Sequence, residues 1–253
     1  MPASKSPKRV FGIDIGGSGI KGAPVDVGSG ALLADRVRIK TPQPSTPTAV
    51  TGVIADLIDT FEWKGPIGCA FPAVVQHGVV QSAANVDSSW VGSDAAKLIR
   101  KATGEKVHLV NDADAAGVAE IEHGAGRGVD GVVVMVTLGT GIGTAVFVDG
   151  VLVPNTEFGH ITIDGKVAEK HAAAKVRRRE DLSWSEWGKR VDTYLRRLED
   201  LMWPDLFIVG GGVSKYHEQF FPELTCRTSV VAAELRNSAG IIGAASLAAR
   251  RLF

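Results

Sequence analysis

Three sets of residues in this chain could do chemistry, and each stands at the end of an apolar run. The first is acidic. Asn111-Asp112-Ala113-Asp114 follows the β-favouring residues 107–110, and open α/β sheets present ligands with residues at the carboxyl ends of their strands. A carboxylate there can accept the proton of an alcohol or cap the helix that follows. Asp112 and Asp114 are both able to do either; the cap is assigned to Asp114 and the chemistry to Asp112, because Asn111 and Asp112 leave the strand first. The second set is Glu157 and His160, three apart in Asn155-Thr-Glu-Phe-Gly-His160. That spacing suggests a metal, but no third ligand stands at a fitting distance. A carboxylate that accepts two hydrogen bonds, beside an imidazole that gives or takes one, suits vicinal sugar hydroxyls. A plain turn with a surface histidine is the bland alternative.

The third set is glycine. Thirty glycines in 253 residues is an excess, and they cluster in Asp14-Ile-Gly-Gly-Ser-Gly-Ile-Lys21, Thr137-Leu-Gly-Thr-Gly-Ile-Gly143 and Val209-Gly-Gly-Gly-Val-Ser214. A backbone without Cβ brings several N–H groups against one anion, so strands that feed such loops point to phosphate. Gly17, Gly19 and Gly22 also satisfy G-x-G-x-x-G, yet the dinucleotide fingerprint needs a helix after the last glycine. Pro24 and the turn residues up to Gly30 argue for a β-hairpin instead. Asp14 inside its apolar strand is useful beside phosphates chiefly when a divalent cation lies between them; accepting turn N–H groups is its simpler role.

These groups need a frame. The strings around Gly19-Ile20 and Gly141-Ile142 repeat a strand, glycine turn, strand pattern nearly half the chain apart, which reads as a duplicated α/β unit whose two turns clamp one phosphate-bearing ligand. Between them the spacing predicts helices over 48–60, 94–103 and 113–123, with strands over 67–71 and 107–110. Ser183-Trp-Ser-Glu186 is a capping box for an amphipathic helix ending near Met202, and 239–252 is a small-residue helix. Trp184, Trp187 and Leu195 read as core or dimer surface. Gly131 to Val148 carries no charge, but its glycines and threonines make it two strands and a turn rather than a membrane span. Twenty-eight basic residues balance 28 acidic ones, which argues against an electrostatic nucleic-acid or membrane binder. Two distant cysteines fit a reducing cytoplasm and supply neither a disulfide framework nor a structural zinc site.

Together the strings resemble the ROK sugar kinases of the actin-like superfamily, most closely the actinobacterial polyphosphate glucokinases. The resemblance is carried by Asp14 to Lys21, Thr41-Pro-Gln-Pro44, Ala84-Asn-Val-Asp87 with Trp90, Asn111 to Gly117, Leu138 to Gly143, Pro154 to His160 and Trp203 to Gly212, in family order over nearly the whole chain from residue 10. It implies an α/β, duplicated actin-like (ribonuclease H-like) fold with two domains around a central cleft. Residues 1–9 would be a flexible tail, 10–110 a small N-terminal domain with helix 239–253 packed back on it, and 111–238 a large C-terminal domain. The implied reaction moves a phosphoryl group from polyphosphate or ATP to the 6-hydroxyl of glucose, with mannose as a further acceptor. Asp112 would be the general base, and Asn85, Asn111, Glu157 and His160 would orient the sugar. Gly16, Gly17, Ser18, Gly19, Lys21, Gly139, Thr140, Gly141, Gly143, Gly211 and Gly212 would hold the donor, with Asp14 positioning Mg²⁺ and no zinc. The implied assembly is a cytoplasmic homodimer without nucleic-acid or membrane partners.

Three departures from the family accompany this. No Cys-rich zinc loop follows His160, a loss shared by the polyphosphate branch; Thr162 stands where an acidic residue is expected, and Ala73 where glycine is common. A linear phosphate chain needs an extended basic groove, and six basic against three acidic residues in 166–181 are expected to line it with Lys21 and Lys215, although a solvated helix face explains such a run as well. The competing readings are an ATP-only hexose kinase and a non-catalytic sugar sensor. A repressor would need a DNA-binding helix-turn-helix ahead of the first strand, and about ten residues precede it.

Overall fold

The computed structural model describes residues 8–84 and 86–252, in two compact units: one takes in the chain up to Ala119 and again from Ser238, the other is Glu120–Asn237.

In the first unit, β1 (Arg9–Gly16) and β2 (Gly19–Asp26) form an antiparallel hairpin in register from Arg9↔Asp26 to Gly16↔Gly19. The strand therefore runs on through Gly22, where a dinucleotide fold would start a helix. Short β3 (Ala31–Leu32) and β4 (Val37–Ile39) extend the hairpin beside β2. Helix α1 (Pro47–Thr60) starts where Thr46 accepts the Ala49 N–H and Pro47 supplies a pre-set φ, and it buries Val50, Ile54, Leu57 and Ile58. Strand β5 (Ile67–Phe71) is buried at every position, as parallel strands covered on both faces are. After the small hairpin β6 (Val75–Gln76) and β7 (Val79–Val80), helix α2 (Ala95–Thr103) is capped by Asp94 and stopped by Gly104 in the left-handed region. Strand β8 (Val107–Asn111) then leads straight into α3 (Asp112–His123). The sheet order is β3-β2-β1-β5-β8.

The second unit repeats this plan. Strands β9 (Val132–Leu138), β10 (Ile142–Val148) and β11 (Val151–Val153) are followed by the two-residue pair β12 (Thr162–Ile163) and β13 (Lys166–Val167). Helices α4 (Ala168–Ala172), α5 (Ala174–Arg179) and α6 (Trp184–Met202) come next, then β14 (Leu206–Gly210) and β15 (Ser229–Ala232). The five-stranded sheet is ordered β11-β10-β9-β14-β15, antiparallel along the meander and parallel beyond it, as in the first unit. The duplication read from the two glycine turns is thus a duplication of strand order and polarity.

Helix α6 starts with the expected reciprocal cap between Ser183 and Glu186. Its Trp187, Val191, Leu195 and Leu198 are fully buried with Phe207 and Phe220, each such side chain contributing about 1.5–3 kcal/mol. Trp187 and Leu195 are therefore core of the second unit. The last helix, α7 (Ala239–Arg251), packs on β1, β5 and β8.

The boundaries differ from the expected ones in three respects. Strand β1 begins at Arg9, inside the segment read as tail. The first unit runs on to Ala119 rather than ending at 110, because β8 leads without a break into α3, whose first turns pack with α7. With α7 added, the N-terminal unit is the larger one. The basic run 166–181 is not one helix face: it is divided among β13, α4 and α5. No helix among the described residues is long and apolar enough to cross a membrane.

Candidate active site

The carboxyl edge of the first sheet carries the acidic candidates. Register places Asp14, Ala70 and Val110 side by side on β1, β5 and β8. The first glycine turn and Asp112 therefore leave the same edge, two strands and roughly 10 Å apart. Asp112 is the first residue of α3, partly exposed, and its Oδ1 accepts the Ala113 N–H at 2.9 Å. A helix N-terminus favours negative charge at that point.

The cap of this helix is Asn111. Its Oδ1 accepts the N–H groups of Ala113 (2.8 Å) and Asp114 (3.1 Å), while its Nδ2 donates to the Ala73 carbonyl at 3.1 Å. This corrects the capping role given to Asp114, which is buried at 1% exposure. It also makes Asn111, itself buried, a residue that fixes where Asp112 stands. Ala73 serves it through a backbone carbonyl, which any side chain leaves in place.

The first turn has an exposed tip, Gly17 and Ser18. Its carbonyls are held from outside: Thr41 donates to Gly16 at 2.5 Å, Gln43 to Gly17 at 3.4 Å and Arg38 to Ser18 at 2.8 Å. Thr41 and Gln43 belong to the string that carried the family resemblance; Arg38 went unremarked in the sequence because a lone arginine has no spacing signal. Lys21, expected on the donor, pairs with Asp14 across the ladder, Nζ to Oδ2 at 3.0 Å.

The second unit holds the other candidates. In the second turn Gly139 N–H donates to the Gly141 carbonyl at 3.0 Å, and the Lys175 N–H at the start of α5 donates to the Gly139 carbonyl at 3.0 Å. Thr140 is exposed at its tip, with Gly143 just inside β10. The third loop packs on the second: Gly211 has φ +84°, and a Cβ there would overlap the Leu138 backbone. Gly212 beside it is exposed.

Glu157 precedes and His160 ends a 3₁₀ turn, Phe158–His160, that lies on β10 because Gly159 is buried where a Cβ would strike the Ile142 carbonyl. Thr144 fixes the turn, its Oγ accepting the Phe158 N–H at 3.2 Å and donating to the Thr156 carbonyl at 2.7 Å. His160 Nδ1 stands 3.6 Å from Glu157 Oε2, and its Nε2 stands 3.8 Å from Glu169 Oε1. Glu169, counted from the sequence merely as one charge of a basic run, lies over Gly141: a Cβ on that glycine would come within 2.5 Å of Oε2. The second glycine turn and the Glu157–His160–Glu169 cluster are thus adjacent. Burial pushes the Glu157 carboxyl above the usual glutamate range, and nearby Glu169 adds to this while His160 opposes it.

The expected donor channel separates into different environments. Arg177 stacks 3.9 Å over Trp184 and donates to the Leu182 carbonyl at 3.1 Å. Arg179 pairs with Glu180 at 2.6 Å, which also binds Arg190. Lys166, Lys170, Lys175 and Arg178 are exposed, and Lys215 lies 4.7 Å over Tyr216 beside the third loop. Thr162 is exposed on β12, and Asn85 lies outside the described residues. Among the described residues no group of three or more His, Cys, Asp or Glu could hold a metal by itself. A single carboxylate such as Asp14, although paired with Lys21, nevertheless suits Mg²⁺, which is commonly shared between one or two carboxylates, phosphates and water.

Comparison with known proteins agrees with this architecture. A polyphosphate glucokinase of Mycobacterium tuberculosis (strain CDC 1551 / Oshkosh) is 50% identical over 245 residues, 96% of this chain and 92% of that one. The crystal structure of an inorganic polyphosphate/ATP-glucomannokinase from Arthrobacter sp. strain KM superposes with a TM-score of 0.93 at 48% identity, covering 97% of this chain and all of the other. A ROK family glucokinase from Streptomyces griseus, solved with glucose and AMPPNP, gives a TM-score of 0.83 at 25% identity over 96% and 99% of the two chains. The ROK family pattern itself matches residues 10–182. With its duplicated actin-like α/β units and its three glycine loops, the chain belongs to the ROK family.

Proposed function

We propose that this chain transfers a phosphoryl group from inorganic polyphosphate or ATP to the 6-hydroxyl of glucose, and of mannose, as a cytoplasmic homodimer. The observation that carries the reading is the sheet edge on which Asp112, held by the Asn111 cap, stands two strands from the pinned glycine turn. Half identity to a polyphosphate glucokinase along nearly the whole chain supports the same acceptor and donor.

In this reading Asp112 accepts the proton of the 6-hydroxyl. A loose phosphoryl-transfer transition state asks little of the base and much of alignment, so Asn111 acts by fixing Asp112. Glu157 and His160, joined by Glu169, bind ring hydroxyls, a task that suits a cluster rich in acceptors. The turns Gly16–Gly19 and Gly139–Gly143, with Gly211 and Gly212, cradle the donor. Mg²⁺, held through Asp14, would neutralise charge on the donor phosphates. A linear donor extends past Lys175, near Gly139, over Lys170, Lys166 and Arg178, whereas Arg177 and Arg179 are occupied by Trp184 and Glu180.

The test is glucose 6-phosphate formation in a cross of glucose and mannose with ATP and long-chain polyphosphate. No product with either donor rejects the reading. The double variant Lys175→Ala/Arg178→Ala is expected to lose roughly tenfold in kcat/KM for polyphosphate, with ATP within about threefold; equal losses would remove the channel.

Glu157 adds a pH signature. Because burial raises its proton affinity, the carboxylate is lost at a higher pH than on an exposed glutamate. The KM for glucose is therefore expected to climb on acidification at a higher pH than an ordinary glutamate would set. Glu157→Gln should show a higher KM at pH 7 and a flatter acid limb.

A further inference from the structure

We infer that Arg38 is a donor-phosphate-binding residue, placed by β4 against the first glycine turn; the inference rests on the kinase reading of that turn. Asp14, Lys21 and Arg38 are direct cross-strand neighbours on β1, β2 and β4, so their side chains rise from one face of the sheet. Gly19, two residues before Lys21, shares that face. The row reads carboxylate, ammonium, guanidinium.

The charges along this row do not balance. Lys21 is matched by Asp14 at 3.0 Å. Arg38 has no carboxylate partner among the described residues; its one hydrogen bond is from Nη2 to the Ser18 carbonyl at 2.8 Å. Arg38 is exposed as a residue, yet its guanidinium lies against the turn. A Cβ on Gly19 would come within 2.5 Å of its Nε and 2.7 Å of its Cζ, so any other residue at position 19 would push the group away.

A planar fork with one donor spent on the turn keeps others for an anion, and guanidinium geometry matches phosphate oxygens in pairs. The turn beside it is the element whose glycines suit phosphate, with its tip, Gly17 and Ser18, exposed. An unmatched cation fixed at such a rim adds charge where backbone N–H groups alone supply only dipoles. The ligand class is a di- or polyphosphate, since both donors present bridged phosphates there.

The competing role is a brace that merely holds Ser18, and the variants separate the two. Arg38→Gln removes the charge and is two atoms too short to keep the Ser18 contact, so its melting temperature reports any bracing role; Arg38→Lys keeps the charge and loses the fork. Two readouts are needed: calorimetric titration of the intact protein with inorganic tripolyphosphate, and steady-state kinetics with glucose and each donor varied. Arg38→Gln is expected to weaken tripolyphosphate binding and donor kcat/KM by roughly ten- to a hundredfold, with the glucose KM within about twofold and the melting temperature unchanged. Arg38→Lys should recover part of the loss. Tripolyphosphate binding unchanged in Arg38→Gln would overturn the inference, as would a glucose KM that rises in step with the donor loss. Because the titration needs no turnover, a protein that binds tripolyphosphate through Arg38 but makes no glucose 6-phosphate would refute the kinase reading and leave this one standing.

Discussion

Asp112→Asn is expected to lower kcat for glucose phosphorylation by about a thousandfold while leaving glucose affinity within roughly threefold, the range in which a positioned general base contributes. The substitution is mild for the fold. The Asn oxygen can still accept the Ala113 N–H, and Asn111 continues to cap α3. What disappears is the site for the hydroxyl proton and a negative charge in the first turn, the latter worth only about 0.3–1 kcal/mol of helix stability. Steady-state kinetics with polyphosphate and ATP, paired with calorimetric titration of glucose, give the two numbers. Loss of glucose binding in proportion to turnover would make Asp112 a sugar ligand. Undiminished turnover would remove it from the mechanism, and glucose binding by an unaltered protein that never turns over would identify a sensor.

The second large effect concerns stability and reverses a common rule. Glycine in a helix interior usually costs up to about 1 kcal/mol relative to alanine, so Gly→Ala in a helix ordinarily stabilises. Gly243 in α7 is an exception, since a Cβ there would overlap the Ala115 carbonyl and press on the Ala119 N–H of α3. Both obstacles are backbone, and neither can rotate aside. Gly243→Ala is expected to destabilise by about 3 kcal/mol, the upper part of the overpacking range, or several degrees in thermal midpoint. Gly52→Ala in α1 is the matched control: nothing lies within 4 Å of its Cβ, and the helix should gain up to about 1 kcal/mol. Thermal unfolding of both variants against the parent checks the pair. A Gly243→Ala protein as stable as the parent would mean that α7 does not lie this close to α3.

Much of the frame was legible because it follows from short-range chemistry. The apolar spacing over 48–60 marks α1, Asp94 and Gly104 bound α2, and Ser183 with Glu186 caps α6; each signal acts within a few residues of itself. The hairpins around Gly17-Ser18 and Thr140 were readable for the same reason, and their repetition pointed to the duplicated strand order. The error at α3 is instructive. Asn111, Asp112 and Asp114 are all good cap types, and the choice went to Asn111, whose amide also reaches the Ala73 carbonyl, 38 residues earlier in the chain.

By itself, then, the sequence determined which residue types stand at the strand ends, where the glycine turns fall, and that two similar units follow one another, since these depend on local propensity and periodicity. Tertiary structure alone decided the partners. It tied Lys21 to Asp14, laid Arg38 on Gly19, brought Glu169 to His160 and Gly141, and engaged Arg177 with Trp184. Those pairings join residues on different strands, helices or turns, and a side chain's neighbour across a sheet or a turn is set by register and packing, which no spacing along the chain encodes.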